Sequence, residues 1–346
     1  MLNVAVIGAG YWGVNYVRLL HELPTVKLLA VCEPDPARAA VVRQRFPLVP
    51  VIEQVDEVLG NRWVDAVVVA TPATTHHAVV KKALLAGKHA MVEKPLTTTV
   101  ADAEDLVRTA AQQQRKLMVG LTFLYNPGIR KMKRLMEDAA FGRTYYIHST
   151  RTNLGPVRPD VSVTWDLASH DISICDYLLN SKPRWVQANA ATVLDHELHD
   201  VAFVTLGYPG NIIANIHVSW VDPNKVREVV VVGSNRRIVF DDLNTIERVR
   251  IFEKGISSQS READTFGEFR LLVRDGDIIS PKIEPSEPLR NQVEEFVRAI
   301  SSDCDPFTGG DVGLANVRTL VAIDRSLDAG GARVEIQAND SSNRDS

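Results

Sequence analysis

Cysteine is scarce. The chain has 3 cysteines among 346 residues, and Cys32, Cys175 and Cys304 lie far apart with no C-x-x-C spacing. No disulfide framework or thiolate metal set can be built from that pattern, and a reducing, cytoplasmic setting is expected. An excess of positive charge is also missing: 39 Lys plus Arg face 43 Asp plus Glu, for a net charge of -4. Without a basic field for phosphate backbones, nucleic acid is not an expected partner. Long apolar runs are absent too. Ala66 to Ala70 and Val229 to Val232 are far shorter than the roughly 20 residues of a membrane span. Met1 to Gly10 lacks the basic start and small-residue cleavage site of an export signal. No membrane association is expected. What remains is 45% hydrophobic and 24% charged, an ordinary globular composition, and at roughly 150 residues per domain the length allows about two domains.

The first 120 residues alternate β-branched runs with amphipathic stretches. Strands are expected at Asn3 to Ile7, Lys27 to Cys32, Ala66 to Ala70, His89 to Val92 and Leu117 to Gly120. Helices are expected at Tyr11 to Glu22, Pro36 to Phe46, Thr75 to Ala86 and Val100 to Gln114. This is the pattern of βαβ units, so an α/β fold opening on a doubly wound parallel sheet of Rossmann type is predicted for 1–120. After Gly120 the texture changes. Trp165 to Leu179 reads as a helix, and long β-like runs follow from Trp185 to Asp241 with close Gly and Pro punctuation, predicting a large, mostly antiparallel open sheet in a second α/β domain over 121–336. The alternation in Asn211 to Trp220 leaves one sheet face available as a subunit interface. Residues 253–287 read as an irregular excursion, and 337–346 as a frayed tail.

Gly8-Ala9-Gly10-Tyr11-Trp12-Gly13 is a G-x-G-x-x-G directly after a strand and before a helix. Gly8 permits the tight turn, Gly10 lets backbone approach a pyrophosphate, and Gly13 lets helix and strand pack closely. Glu33 stands about 20 positions beyond Gly13, where a carboxylate accepts bonds from the adenosine ribose and repels a 2′-phosphate. NAD is therefore expected over NADP, with Arg38 and Arg43 near enough to soften that preference.

Ligands of such sheets bind beyond the carboxyl ends of the strands. Thr71-Pro72-Ala73-Thr74-Thr75-His76 follows one strand and Glu93-Lys94-Pro95 another, so Thr71, Pro72, His76 and Glu93 are candidate cofactor contacts. Lys94 is a candidate amine for stabilising or passing a proton. In Trp165-Asp166-Leu167-Ala168-Ser169-His170-Asp171, Asp166 and His170 are four apart, so on one helical face the carboxylate can orient the imidazole as a general base. Asp195-His196-Glu197-Leu198-His199-Asp200 has the wrong His spacing for a metal site and reads as a hairpin turn. No metal is expected.

Together Gly8-x-Gly10-x-x-Gly13, Glu93-Lys94-Pro95 and Asp166-x-x-x-His170 resemble the Gfo/Idh/MocA oxidoreductases over nearly the whole chain. The resemblance implies NAD(P)-linked oxidation or reduction at a sugar or cyclitol carbon, and a homodimer or homotetramer built through the second domain's sheet. It also implies that Lys94, Asp166 and His170 are catalytic. Within the family, Gly10-Tyr11-Trp12-Gly13, Thr122 to Pro127, Arg151 to Gly155 and Trp165 to Asp171 look most like the nucleotide-sugar branch. That adds Tyr11, Trp12 and Trp165 as expected cofactor contacts and Tyr125, Asn126, Arg151 and Asn153 as expected substrate contacts, with Arg158 nearby as a second arginine suited to an anion. The expected reaction is hydride transfer at a secondary hydroxyl, C3 foremost, of a nucleotide-activated or anionic sugar. A free cyclitol, a sugar phosphate, a small carbonyl compound or a silent NAD-binding regulator are the alternatives.

Overall fold

The computed structural model describes residues 1–158, 160–194, 197–257 and 272–336. Two compact units emerge. The first comprises Met1–Tyr125 and Ser286–Val321, the second Asn126–Pro285 and the chain from Ala322 onward. Residues 286–321, read above with the second domain, thus group with the first unit. The expected tail, 337–346, lies outside the described residues.

The first unit carries the parallel sheet. Its strands are β1 (Leu2–Ile7), β2 (Val26–Cys32), β3 (Val51–Ile52), β4 (Ala66–Val69), β5 (His89–Glu93) and β6 (Leu117–Gly120), ordered β3-β2-β1-β4-β5-β6. That is a doubly wound order, with its switch point between β1 and β4. Val4 to Ile7, Val67 to Val69 and Ala90 to Val92 are buried, as strands covered on both faces must be. The helices α1 (Gly13–Glu22), α2 (Pro36–Arg45), α3 (Val55–Gly60), α4 (His76–Leu85) and α5 (Val100–Gln112) supply the cover. Local chemistry sets several boundaries. The Asp35 side chain accepts from the Arg38 amide with Pro36 in the first turn of α2, and Thr99 accepts from Asp102 to start α5; such caps contribute about 1 kcal/mol each. α1 starts at Gly13 rather than Tyr11, because the glycine turn occupies the residues before it. β3 and α3 are additional to the sequence reading.

The second unit holds α6 (Pro127–Glu137), β7 (Thr144–Leu154), α7 (Ser169–Leu179), β8 (Trp185–Ala191), β9 (Val201–Tyr208), β10 (Ile212–Ser219), β11 (Val221–Gly233), β12 (Arg237–Asp241), β13 (Val249–Phe252), β14 (Gly255–Ser257), β15 (Leu272–Arg274), β16 (Ile278–Ile279) and β17 (Val334–Glu335). Its nine-stranded sheet runs β16-β13-β12-β11-β7-β10-β9-β8-β17. Only β10 with β7 is parallel among these pairings. β14 and β15 form a separate two-stranded sheet. Ala202, Val204, Leu206, Ala214, Ile216 and Val218 bury one face; their alternate neighbours Phe203 and Ile213, and Tyr146 of β7 opposite Ile213, are exposed on the other. The expected α/β fold class holds in both units.

Candidate active site

At the carboxyl end of β1, Gly8 has φ +91° and a Cβ there would lie 2.7 Å from the Ala70 carbonyl oxygen. A Cβ on Gly13 would lie 2.0 Å from the Gly8 carbonyl oxygen. Both positions therefore need glycine for the protein's own packing. Gly10 is different: the nearest group to its Cβ position is the Arg38 guanidinium at 3.8 Å. Among the described residues no other atom lies within 4 Å of that position, and open space there is what a cradle for a pyrophosphate at a helix N-terminus requires. Beside it, the buried Glu33 carboxylate accepts from the Ala9 amide at 2.7 Å through Oε2 and from the Asp35 amide at 3.0 Å through Oε1. Its position next to the turn is fixed before any cofactor arrives. These residues fit a dinucleotide. Tyr11 and Trp12 stand exposed on the turn, edge to face at 5.9 Å between centroids.

Two further strand ends flank this cradle. Past β4, Thr71 and Thr75 share a hydroxyl–hydroxyl bond of 2.8 Å, and the Thr75 hydroxyl also donates to the Pro72 carbonyl. His76 is buried between Thr71 and Pro95. Past β5, Lys94 is only 7% exposed. Its amide donates to Glu93 Oε2 at 3.1 Å, the Glu93 carboxylate also accepts from the Tyr16 hydroxyl, and Gln292 donates to Tyr16 at 2.9 Å. Burial beside Glu93 holds the Tyr16 hydroxyl well above its ordinary pKa, so it stays a proton donor to the carboxylate. Tyr16 and Gln292 are supports the sequence reading missed. A polar side chain on the buried face of an amphipathic helix, α1 for Tyr16 and Pro288–Ser301 for Gln292, was the available signal.

The second unit holds the other expected catalytic pair. Asp166 lies in a π-helical turn, Thr164–Ala168, and His170 in the first turn of α7. The expected single α-helix from Trp165 is therefore broken, and the four-residue spacing crosses a wider turn, a feature frequent at functional sites. Asp166 accepts from Arg158 Nη1 at 3.3 Å and from the Trp220 indole N–H at 3.3 Å. Arg158 also binds Asp160 through Nε at 2.9 Å and Nη2 at 2.6 Å. Trp220 was not foreseen, although a tryptophan closing an apolar strand signals a buried indole in need of an acceptor. Trp165 is buried with its indole donating to Asp324 at 2.8 Å.

Three expected substrate contacts are otherwise engaged. Arg151 is 4% exposed and grips Asp171 bidentately, at 2.7 and 3.0 Å, with the Ser149 hydroxyl on the same carboxylate at 2.6 Å. Its fork is occupied inside the unit. Asn126 is the N-cap of α6: its Oδ1 accepts from the Gly128 amide at 2.9 Å and its Nδ2 donates to Asp242 at 3.0 Å. Tyr125 is buried with its hydroxyl 3.0 Å from that of Thr308. Asn153 stays partly exposed, its amide against Gly155. Asp195 and His196 of the discounted metal motif lie outside the described residues. Among the described residues no group of three or more His, Cys, Asp or Glu could hold a metal, and no helix is long and apolar enough to cross a membrane.

A family model described as an oxidoreductase family with an NAD-binding Rossmann fold, Gfo/Idh/MocA, matches residues 2–121, and the C-terminal domain model of the same family matches 129–239. UDP-N-acetylglucosamine 3-dehydrogenase of Acidithiobacillus ferrooxidans is 27% identical over 339 residues, 94% of this chain and 98% of that protein. Inositol 2-dehydrogenase of Acidothermus cellulolyticus is 30% identical over 227 residues, 63% of this chain and 66% of that one. The crystal structure of GenD2 from gentamicin A biosynthesis, in complex with NAD, superposes with a TM-score of 0.81 at 26% identity, covering 97% of each chain.

Proposed function

Because the chain belongs to the Gfo/Idh/MocA family of NAD-binding oxidoreductases, we propose that it transfers hydride between NAD and a secondary hydroxyl of an uncharged sugar ring, C3 of a nucleotide sugar foremost. The carrying observation is the row of adjacent strand ends in the first unit: Gly10 after β1, Glu33 after β2, Thr71 after β4 and Lys94 after β5. NAD is the preferred cofactor, since the Glu33 carboxylate is held beside the turn and would repel a 2′-phosphate. When bound, NAD supplies a hydride acceptor at its nicotinamide ring. In the alcohol-oxidising direction His170, oriented by Asp166, takes the hydroxyl proton and Lys94 stabilises the developing alkoxide.

The uncharged ring narrows the nucleotide-activated or anionic sugar expected from sequence. Arg151 is committed to Asp171, and Arg158 to Asp160 and Asp166. Drawing either onto a substrate carboxylate would leave a partly or wholly buried acid without its partner, a cost of several kcal/mol. The similarity to a UDP-N-acetylglucosamine 3-dehydrogenase supports this reading. A free cyclitol is the second reading, favoured by the similarity to an inositol 2-dehydrogenase. A screen of UDP-sugars, their uronates and inositols for NADH formation tests both. Turnover confined to uronates would sink the uncharged ring.

The exposed face of the nine-stranded sheet we assign to a second copy of the chain. Across it, Thr205, Asn215 and His148 form one row of partners, with Phe203, Ile213 and Tyr146 exposed alongside. Exposed aromatic side chains are enriched at the core of such interfaces. Phe203→Glu should convert the dimer or tetramer to monomer in light scattering. An unchanged mass would overturn the assignment.

A further inference from the structure

His76 opens α4 and is 1% exposed. Its Nδ1 lies 2.7 Å from the carbonyl oxygen of Pro95 and its Nε2 3.0 Å from the carbonyl oxygen of Thr71. A carbonyl oxygen can only accept. A neutral imidazole has one N–H and one lone pair, so either tautomer would leave a ring lone pair facing an oxygen lone pair at hydrogen-bonding distance. Only the imidazolium donates at both ends. The two carbonyls belong to the exits of neighbouring strands, Thr71 just past β4 and Pro95 just past β5. Lys94 sits between two restraints: its own amide is held by Glu93, and the carbonyl of the next residue is held by His76.

We propose that His76 is a buried imidazolium that ties the exits of β4 and β5 together and fixes the backbone from which Lys94 is presented. A buried charge is costly unless fully hydrogen-bonded; here each N–H meets a carbonyl, and charge-assisted bonds are the stronger kind. The surrounding charges divide. The N-terminus of α4 and Lys94 oppose a cation, while the Glu93 carboxylate favours it. Asp102 and Asp105 face α4 from α5, paired with His77, and Asp105 also with Lys81 and Arg108; Asp56 faces it from α3, paired with Lys82. The acids on α3 and α5 thus have partners of their own, and the two carbonyls supply an acceptor for each ring nitrogen. His76 is a positioning residue in this account, and its importance for turnover rests on the role proposed for Lys94.

Neutron diffraction from the wild-type chain crystallised at pH 8, where an ordinary histidine of pKa about 6.5 is neutral, reads the ring directly. Deuterons are expected on both Nδ1 and Nε2; a bare nitrogen on either overturns the proposal, whether or not the variant described next folds. In solution, His76→Gln can reach one carbonyl but not both. Its kcat should fall tenfold or more while KM for NAD changes less than twofold. An unchanged kcat in the folded variant overturns the positioning role. Full activity in Lys94→Ala would instead refute the proposed function and leave the neutron result standing.

Discussion

The indole N–H of Trp220 donates to Oδ2 of Asp166 across 3.3 Å while Arg158 takes Oδ1 of the same carboxylate. The acid proposed to orient His170 is therefore oriented itself, from a strand end on one side and a loop on the other. A bond from a neutral donor to a charged acceptor contributes about 1.5–3 kcal/mol. Trp220→Phe preserves most of the buried ring volume and removes only that bond, so kcat should fall about tenfold, or ~1.4 kcal/mol, with KM for NAD unchanged. Arg158→Ala should lower kcat as well. The double variant should fall short of the product of the two effects, because both act through one carboxylate.

Glu33 governs cofactor choice by charge. Glu33→Gln keeps an oxygen to accept from Ala9 or Asp35 but no longer repels a 2′-phosphate, and Arg38 beside Gly10 becomes an available cation. KM for NADP should drop about tenfold or more, equivalent to ~1.4 kcal/mol, and KM for NAD should rise. Steady-state kinetics with both cofactors checks this; an unchanged ratio would place the ribose elsewhere.

Lys94→Ala should reduce turnover by about 10²–10³-fold, the usual scale for loss of a group that stabilises developing negative charge. NAD affinity, measured by fluorescence titration, should stay within twofold, because the glycine turn and Glu33 are untouched. Lys94→Arg should not restore activity, since a guanidinium is larger and planar and does not present the compact point charge of an ammonium.

The parts legible in sequence were those fixed by neighbours along the chain. The glycine turn, Glu33 and the strand exits at Thr71 and Lys94 follow from a periodicity and from spacings within single βαβ units. What was misread depended on partners distant in sequence. Arg151 looked like a substrate ligand because its partner Asp171 comes from another element, and a strand pattern does not reveal which helix covers it. Asn126 was misread for a different reason: Asn followed by Pro is an N-cap before a first-turn proline, a start signal for α6 that was available locally. The π turn at Asp166 left no trace in periodicity, because one residue added to a helical turn is invisible at that scale.

The Arg151–Asp171 pair should matter for stability rather than turnover. Asp171→Ala leaves a buried guanidinium without its acid, a loss of about 3–5 kcal/mol. Urea unfolding followed by tryptophan fluorescence should show a midpoint shift of that size. A double replacement by well-packed apolar residues should recover most of it, because the pair's desolvation cost disappears with it.

The first unit should lose stability on mild acidification, through His89. At the start of β5, its Nδ1 accepts from the Lys116 amide at 2.9 Å, so protonation there would break a bond. Burial, and then the positive charges of Arg115 and Lys116, push its pKa down to about 4. Unfolded, the same ring titrates near 6.5. Between those values the unfolded chain binds a proton that the folded chain does not, so stability is highest above pH 6.5 and declines as pH falls toward 4. Asp176 in the second unit works in the opposite sense: burial lifts its carboxyl to about 6 despite Lys182 and Tyr208, so its contribution falls as pH rises through that range. The two are separable by mutation. His89→Gln should flatten the decline of unfolding free energy between pH 6.5 and 4, and Asp176→Asn should steepen it. Denaturant melts at half-unit pH steps read both slopes, and a His89→Gln profile parallel to wild type would show that the ring takes its proton in the folded protein.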